Sequence, residues 1–205
     1  MKISLFFLSL FVTTSYCSSP LGDMLSQELL SKWKLNKSLL NNIEKGHIYS
    51  DSKVYNLKNE QVFEHFSTGF HSKTCSKSLR KLAMYEEYKN MISFIKTSTY
   101  NKKRKLLTLK ADHFLLPFPM IVDVIVGELN GPGVYPFRFP TGMFKGLKGK
   151  LTIHQNVDKK RCLYFVRTYW KGPQSRIPNK ILEFFSSALT KKGAEVMFRM
   201  TSHNK

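Results

Sequence analysis

The last part of the chain has the hydrophobic spacing of one long helix. Across residues 177–200, apolar side chains recur at intervals of three and four positions, and lysines and an arginine occupy the other side. Pro178 suits the first turn of a helix, because the N–H that proline lacks would have no intrahelical partner there. The pattern predicts a helix whose buried stripe contains Ile181, Phe184, Phe185, Ala188, Leu189, Val196 and Met200.

Upstream of this helix the apolar residues recur at every second position, which is the period of strands with one buried face. Candidate turns rich in Gly, Pro, Asn and Lys separate the alternating segments. An earlier segment, residues 47–57, alternates in the same way and brings the expected number of strands to seven. The other six are expected at residues 93–100, 104–114, 120–129, 134–139, 147–157 and 161–171.

Between the first and second of these strands, the spacing changes to that of helices. Over residues 58–68, Val62, Phe63 and Phe66 would share one helical face, and Gly69 marks a break. A second helix is expected over residues 76–91. The order predicts an α+β fold, in which a curved, seven-stranded antiparallel sheet wraps around the long C-terminal helix. The inward face of the second helix is expected to contain Leu79, Leu82, Ala83 and Met84.

The N-terminus has the features of a secretory signal peptide, since residues 1–17 contain a lysine, an apolar run and then small polar residues. We therefore expect a mature protein that is secreted or periplasmic. Cys17 leaves open a lipid anchor, and Cys75 and Cys162 could pair in an oxidising compartment. Residues 18–46 are expected to form an extension of two short helices, followed by one ligand-binding domain over residues 47–205.

Three local motifs lie in the same order on the expected helix, hairpin and strand. They are LAMYEEYKNMISFI at residues 82–95, LLPFPM at 115–120 and MFKGLKGKLTI at 143–153. Together with the order of elements, they resemble the helix-grip (SRPBCC) superfamily, which includes steroidogenic-acute-regulatory-type (START) lipid-transfer domains, polyketide cyclases and dehydrases, and coenzyme Q-binding proteins. The resemblance covers residues 48–200. It implies a deep apolar cavity between the sheet and the last helix, which holds a lipid, sterol, quinone-like or other hydrophobic molecule.

The inward-facing residues of the predicted elements support such a cavity, because they are almost all apolar or aromatic. The alternative is that the same residues pack together as a solid core. The expected ligand-binding residues are Leu107, Leu109, Val122, Val124, Phe137, Phe139, Leu151, Ile153, Tyr164, Val166 and Trp170 from the sheet, with Ile181, Phe185, Ala188 and Leu189 from the helix.

Candidate acids and bases are few along the predicted strands. Asp123 lies within the run IVDVIV, and an inward carboxylate there would have a raised pKa and could act as a general base. Alternation instead places Asp123 toward solvent, against a basic neighbour on the next strand. His113 and His154 also lie on strands, and Arg167 is expected to be a solvated surface cation. We expect no catalytic residues, cofactor or metal, with a cyclase- or dehydrase-type enzyme as an alternative.

The charge of the chain favours anionic partners. The 33 Lys and Arg residues outnumber the 14 Asp and Glu residues, which gives a net charge of +19. An anionic membrane surface is therefore an expected partner, with the apolar hairpin at residues 115–119 as a candidate docking element. A basic surface-binding protein without a ligand is a further alternative. We expect a monomer that binds a hydrophobic small molecule and no specific nucleic acid.

Overall fold

Strands and helices follow one another in the computed structural model, which describes residues 31–113, 119–156, 160–175 and 177–202. Within this part of the chain a single turn of 3₁₀ helix, Tyr85–Glu87, precedes the third α-helix. The strands are β1 (Tyr49–Leu57), β2 (Glu60–His71), β3 (Ile95–Asn101), β4 (Leu106–Ala111), β5 (Met120–Val126), β6 (Gly133–Arg138), β7 (Lys148–Asn156) and β8 (Arg161–Pro173). The helices are α1 (Lys37–Glu44), α2 (Cys75–Leu82), α3 (Tyr88–Met91) and α4 (Asn179–Ser202).

All eight strands belong to one sheet, with the spatial order β1-β2-β8-β7-β6-β5-β4-β3. Every neighbouring pair is antiparallel. The predicted α+β fold with an antiparallel sheet and a long C-terminal helix is thus confirmed. The number of strands is eight and not seven. The first expected strand corresponds to β1 and the other six correspond to β3 to β8, so the additional strand is β2.

The helix predicted over residues 58–68 is wrong, because this segment forms most of β2. Its residues are buried on both faces of the sheet, so the alternation that reveals a half-buried strand is absent. Phe63 points toward the inner side with Trp170, while Phe66 packs on the outer side against Trp33. Gly69 lies inside the strand and does not break a helix. A Cβ atom there would come within 3.3 Å of the Phe198 ring, so glycine allows the close approach of α4.

Short helices cross one end of the sheet after β2. The predicted helix over residues 76–91 is divided into α2, the 3₁₀ turn and α3. Leu79 and Leu82 are buried as expected, whereas Met84 is 50% exposed because it lies in the break between the two helices. A disulfide bond joins Cys75 at the start of α2 to Cys162 in β8, 87 positions apart in the sequence. The pairing that the sequence left open is therefore present in the structure.

Helix α4 lies across the inner face of the sheet, but it is rotated by about one residue, or 100°, from the predicted orientation. Ile181 and Phe184 are 43% and 60% exposed, respectively, so neither belongs to the buried side. The apolar residues lie on nearly all sides of this helix, and spacing alone therefore fixes its orientation poorly. The stripe that faces the sheet contains Leu182, Phe185, Ser186, Leu189, Thr190, Ala194 and Met197.

Polar contacts with β1 hold α4 in this orientation. The Val54 backbone N–H donates to Glu183 Oε1 at 2.8 Å, and the Ser187 hydroxyl donates to Ser52 Oγ at 3.1 Å. Phe184 and Ala188, which were expected in the buried stripe, therefore lie beside the edge strand. In the described part of the chain, no helix is long and apolar enough to cross a bilayer.

The outer face of β2 and β8 is covered by the segment that contains α1. An N-terminal cap on α1 is provided by Asn36, whose side chain accepts a hydrogen bond from the backbone N–H of Leu39 at 2.9 Å. Leu40 and Ile43 of α1 share a buried cluster with Phe70 of β2. The second of the two expected N-terminal helices thus braces the sheet. The expected signal peptide with Cys17, and hairpin residues 114–118, lie outside the described residues.

Candidate ligand-binding cavity

A cavity of about 290 Å³ lies between the inner face of the sheet and the first half of α4. Its wall is formed by β2, β4, β5, β8, α4 and the segment between β6 and β7. The polar residues in this wall are His65, Thr168, Ser186 and Thr190. The apolar lining consists of Phe63, Phe94, Ala111, Met120, Val122, Phe139, Met143, Phe144, Leu147, Ile177, Leu182, Phe185 and Leu189.

The small side chains on α4 explain why this space is present. Ser186 and Thr190 face the sheet one turn apart, with the larger side chains of Phe185 and Leu189 beside them. At the other end of the wall, the Trp170 ring meets the Phe144 ring edge to face at 5.4 Å between centroids. The bulky rings keep this part of α4 away from the sheet, and the small side chains of Ser186 and Thr190 do not fill the space that remains.

Two polar side chains lie opposite each other in the floor of the cavity. His65 of β2 and Thr168 of β8 are direct partners in the antiparallel ladder. His65 is only 5% exposed, and its Nδ1 lies 2.9 Å from Ser52 Oγ. Among the described residues, neither His65 Nε2 nor Thr168 Oγ1 has a hydrogen-bond partner. Both atoms are therefore buried polar groups that the surrounding protein leaves unpaired.

Burial also sets the charge of His65. Desolvation lowers the pKa of the imidazole from 6.5 to about 4, and a hydrogen bond to the Asp51 backbone opposes this shift only in part. The ring is consequently neutral at neutral pH, with one protonated and one unprotonated nitrogen. His65 was not among the predicted site residues, because it lies in the segment that was predicted as a helix. Because β2 is buried on both faces, its sequence does not alternate between polar and apolar residues, and no pattern marks His65 as a residue of the inner face.

Further spaces border α4, and two of them differ in character from this cavity. A second apolar cavity of about 180 Å³ lies toward the C-terminal end of the helix, and Thr190 lines both cavities. A larger space of about 430 Å³ lies between β1 and α4, and its lining includes Asp51, Lys180 and Lys191. We regard the larger space as a surface cleft, because its charged and hydroxylated lining does not suit an apolar molecule.

The expected ligand-binding residues are distributed over these spaces and the surrounding core. Four of them, Val122, Phe139, Phe185 and Leu189, line the 290 Å³ cavity. Leu151, Tyr164 and Val166 line the second cavity, although the Tyr164 hydroxyl is already bonded to Ser78 Oγ at 2.5 Å. The residues that pack in the adjoining hydrophobic clusters are Leu107, Leu109, Val124, Phe137, Ile153 and Trp170. Ligand contact itself stays a prediction for all of them.

Two expected lining residues lie away from the cavity. Ile181 is exposed, and Ala188 lines the surface cleft beside β1. The rotation of α4 accounts for both differences, since a shift of one residue carries a side chain by about 100° around the helix. Ser186 and Thr190 face the sheet, where Ala188 was expected.

The candidate acids and bases are not gathered in the cavity. Asp123 lies on the outer face as alternation predicted, but its carboxylate accepts hydrogen bonds from Thr108 and Thr141 at 2.6 and 2.8 Å. The expected basic neighbour is thus replaced by two hydroxyl groups. His113 follows β4 and meets the Phe94 ring at 5.7 Å between centroids, whereas His154 is exposed. Arg167 is exposed on β8.

Metal ligands are not clustered in the part of the chain that the structure describes. No group of three or more His, Cys, Asp or Glu side chains there could hold a metal ion. The chemistry available at the cavity is therefore that of an apolar wall, one neutral imidazole and three hydroxyl groups.

Solved structures share this arrangement of sheet and helix. A START superfamily protein from Mycobacterium smegmatis superposes with a TM-score of 0.55 and 12% sequence identity, over 68% of this chain and 97% of the other. The Zhui aromatase/cyclase from a Streptomyces species gives a TM-score of 0.57 and 9% identity, over 70% of this chain and 94% of the other. The chain has the helix-grip fold. These helix-grip neighbours include an aromatase/cyclase as well as a START protein, so the fold alone does not separate binding from catalysis.

Comparison of sequences finds a second likeness, which is to part of a much longer protein. No protein-family model matches this chain. The delta-1 ionotropic glutamate receptors of mouse and human are 26% identical to it in an alignment of 164 residues that covers 77% of this chain. The chain spans 16% of the length of those receptors. Because the alignment covers so small a part of the receptors, we assign no receptor activity to this chain.

Proposed function

We propose that this protein binds and carries a hydrophobic small molecule, such as a lipid, sterol or quinone-like compound, without changing it chemically. The observation that carries this proposal is the apolar cavity between the sheet and α4. Ligand sites in proteins are concave and mostly apolar, with a few placed polar groups that orient the ligand. The cavity with His65 and Thr168 in its floor has this composition.

The size of the cavity supports a compact ligand. Protein interiors are close-packed, and voids larger than a water molecule are few in any domain. A volume of about 290 Å³ is far above such packing defects. It is close to the lower end of the range of roughly 300–1,000 Å³ that is typical of small-molecule sites. We therefore favour a ligand with a small ring system or a single short chain.

A cyclase-type enzyme is the second candidate function, and the observation that favours it is an imidazole in the cavity wall. His65 could accept a proton from a bound substrate. A general base is most effective when its pKa lies near the working pH, and burial lowers the pKa of His65 to about 4. Binding without chemistry is therefore the better supported function of the two.

We also propose that the protein works outside the cytoplasm, as a secreted or periplasmic carrier. The disulfide bond between Cys75 and Cys162 supports this location, because such bonds persist in oxidising compartments. The N-terminal sequence supports it independently. The net charge of +19 supports a further proposal, that the carrier meets anionic membrane surfaces when it takes up or delivers its ligand.

The experiment that tests ligand carriage fills the cavity from α4 and compares the two sides of the helix. Ser186→Phe places a ring in the 290 Å³ cavity, whereas Ala188→Phe places the same ring in the cleft beside β1. The neutral dye Nile red serves as the probe, and organic extracts of natively purified protein are analysed by mass spectrometry. We expect dye binding and any co-purified molecule to be lost from Ser186→Phe and retained by Ala188→Phe.

Both variants must first unfold cooperatively, which shows that each has kept its fold. Equal binding by the two variants would place the ligand outside this cavity. Absence of dye binding and of any extractable molecule in the unsubstituted protein would contradict carriage itself. In that case the basic surface would be the better candidate for the functional feature, with salt-sensitive binding to anionic vesicles as its signature.

A further inference from the structure

The unpaired atoms in the floor of the cavity indicate which polar group its ligand carries. Burying a hydroxyl or an imidazole nitrogen without a hydrogen-bond partner destabilises a protein, so such atoms are rare in folded proteins. Here two of them, His65 Nε2 and Thr168 Oγ1, belong to side chains that line the same apolar cavity. An incoming polar group that paired with both atoms would remove this penalty.

The two side chains are close enough to share one ligand group. His65 and Thr168 are directly opposite each other on β2 and β8, where Cβ atoms of paired residues are about 4.5–5.5 Å apart. Both side chains project from the inner face of the sheet. Both unpaired atoms are inaccessible to solvent, so contact with a ligand requires changes of side-chain rotamers, which are common on binding.

The other ring nitrogen of His65 is held by the protein. Its Nδ1 lies 2.9 Å from Ser52 Oγ, which in turn accepts a hydrogen bond from the Ser187 hydroxyl. This chain of hydroxyl groups fixes the plane of the imidazole and leaves only Nε2 for a ligand. Depending on the tautomer, Nε2 is either an acceptor or a donor.

A hydroxyl group suits the pair in either tautomer. It can donate to Nε2 and accept from the Thr168 hydroxyl, or accept from Nε2–H and donate to Thr168 Oγ1, because the threonine hydroxyl rotates to match. A carbonyl group can only accept and therefore matches one tautomer. A carboxylate is disfavoured, since none of the described residues that line the cavity carries a positive charge.

We propose that the His65 and Thr168 pair binds the hydroxyl group of a compact, uncharged hydrophobic alcohol or phenol. This assignment rests on the proposed carriage function and narrows its ligand class. Lipids with a free acid group are thereby excluded as the preferred ligands, and phenols or compact alcohols are favoured.

The test compares three probes of one shape: naphthalene, naphthol and naphthoate. Each competes with Nile red on the full-length protein. The variants are Thr168→Val and His65→Leu, with Thr190→Val as the matched control, because Thr190 lines the same cavity from α4. In the unsubstituted protein, naphthol should bind about tenfold more tightly than naphthalene, which corresponds to 1.4 kcal/mol. The preference should disappear in Thr168→Val and His65→Leu and remain in Thr190→Val.

Equal binding of naphthol and naphthalene would overturn the hydroxyl assignment and leave the carriage function intact. Tighter binding of naphthoate than of naphthol would overturn it in favour of an acid-binding site. Loss of the preference in Thr190→Val to the same degree would show that it does not come from the pair. Failure of all three probes and of the dye to bind would overturn the assignment together with the carriage function.

Discussion

Removing one unpaired hydroxyl should make the protein more stable when no ligand is added. Valine at position 168 has nearly the shape of threonine but carries a methyl group in place of Oγ1. Since Thr168 Oγ1 is buried without a partner among the described residues, its desolvation costs about 1–3 kcal/mol that no hydrogen bond offsets. We therefore expect Thr168→Val to raise the free energy of unfolding by about 1–2 kcal/mol.

A second threonine on the same pair of strands provides the matched control. Thr68 of β2 is 2% exposed, and its Oγ1 donates to the carbonyl oxygen of Tyr164 at 3.1 Å. Thr68→Val removes a hydrogen bond that is made, so it should lower the free energy of unfolding by about 1 kcal/mol. The same chemical change is thus expected to have opposite signs at the two positions.

Urea denaturation followed by intrinsic fluorescence gives both values, provided that the slope with denaturant is unchanged between variants. For a chain of this length, 1 kcal/mol corresponds to a shift in melting temperature of about 2–4 °C. A Thr168→Val variant that is destabilised as much as Thr68→Val would refute the reasoning. It would mean that Thr168 Oγ1 has a partner, and the hydroxyl assignment would then lose its basis.

Two further predictions concern pH and the disulfide bond. The unfolded chain binds a proton at His65 below about pH 6.5, whereas the folded protein resists protonation down to about pH 4, so stability should fall by roughly 3 kcal/mol over this window. Stability measured against pH should show a shallower acid decline in His65→Leu, and an identical decline would contradict the buried, neutral imidazole. Replacing Cys75 and Cys162 by alanine should lower the free energy of unfolding by about 2–5 kcal/mol, because the bond closes a long loop. Unchanged urea midpoints on reduction would show that the bond adds nothing.

Strand β1 and the six strands from β3 to β8 could be predicted because their polar and apolar residues alternate along much of their length. Strand β2 could not, since α4 covers one of its faces and the segment around Trp33 covers the other. Its helix-like spacing of Val62, Phe63 and Phe66 arises from burial on both sides. Polar and apolar residues alternate only where one face of a strand is exposed to solvent, and β2 has no such face.

The cavity could be predicted in kind but not residue by residue. The rotation of α4 is fixed by Glu183 and Ser187, whose polar contacts with β1 carry no signal in hydrophobic spacing. The pairing of His65 with Thr168 depends on the register of two strands that are distant in sequence. The spacing of apolar residues therefore indicates the layers of the fold but not the polar groups that distinguish this cavity from a solid core.

The pairing of β2 with β8 determines how late in folding the centre of the sheet can form. β2 comes early in the domain and β8 is its last strand, yet the two pair along their whole length and share the disulfide-linked end of the sheet. Contacts between distant segments form slowly, because a long loop must close before they contribute. Until β8 and α4 have been synthesised, one edge and the inner face of β2 have no partner. Late formation of these contacts would be compatible with the export that we propose for this protein.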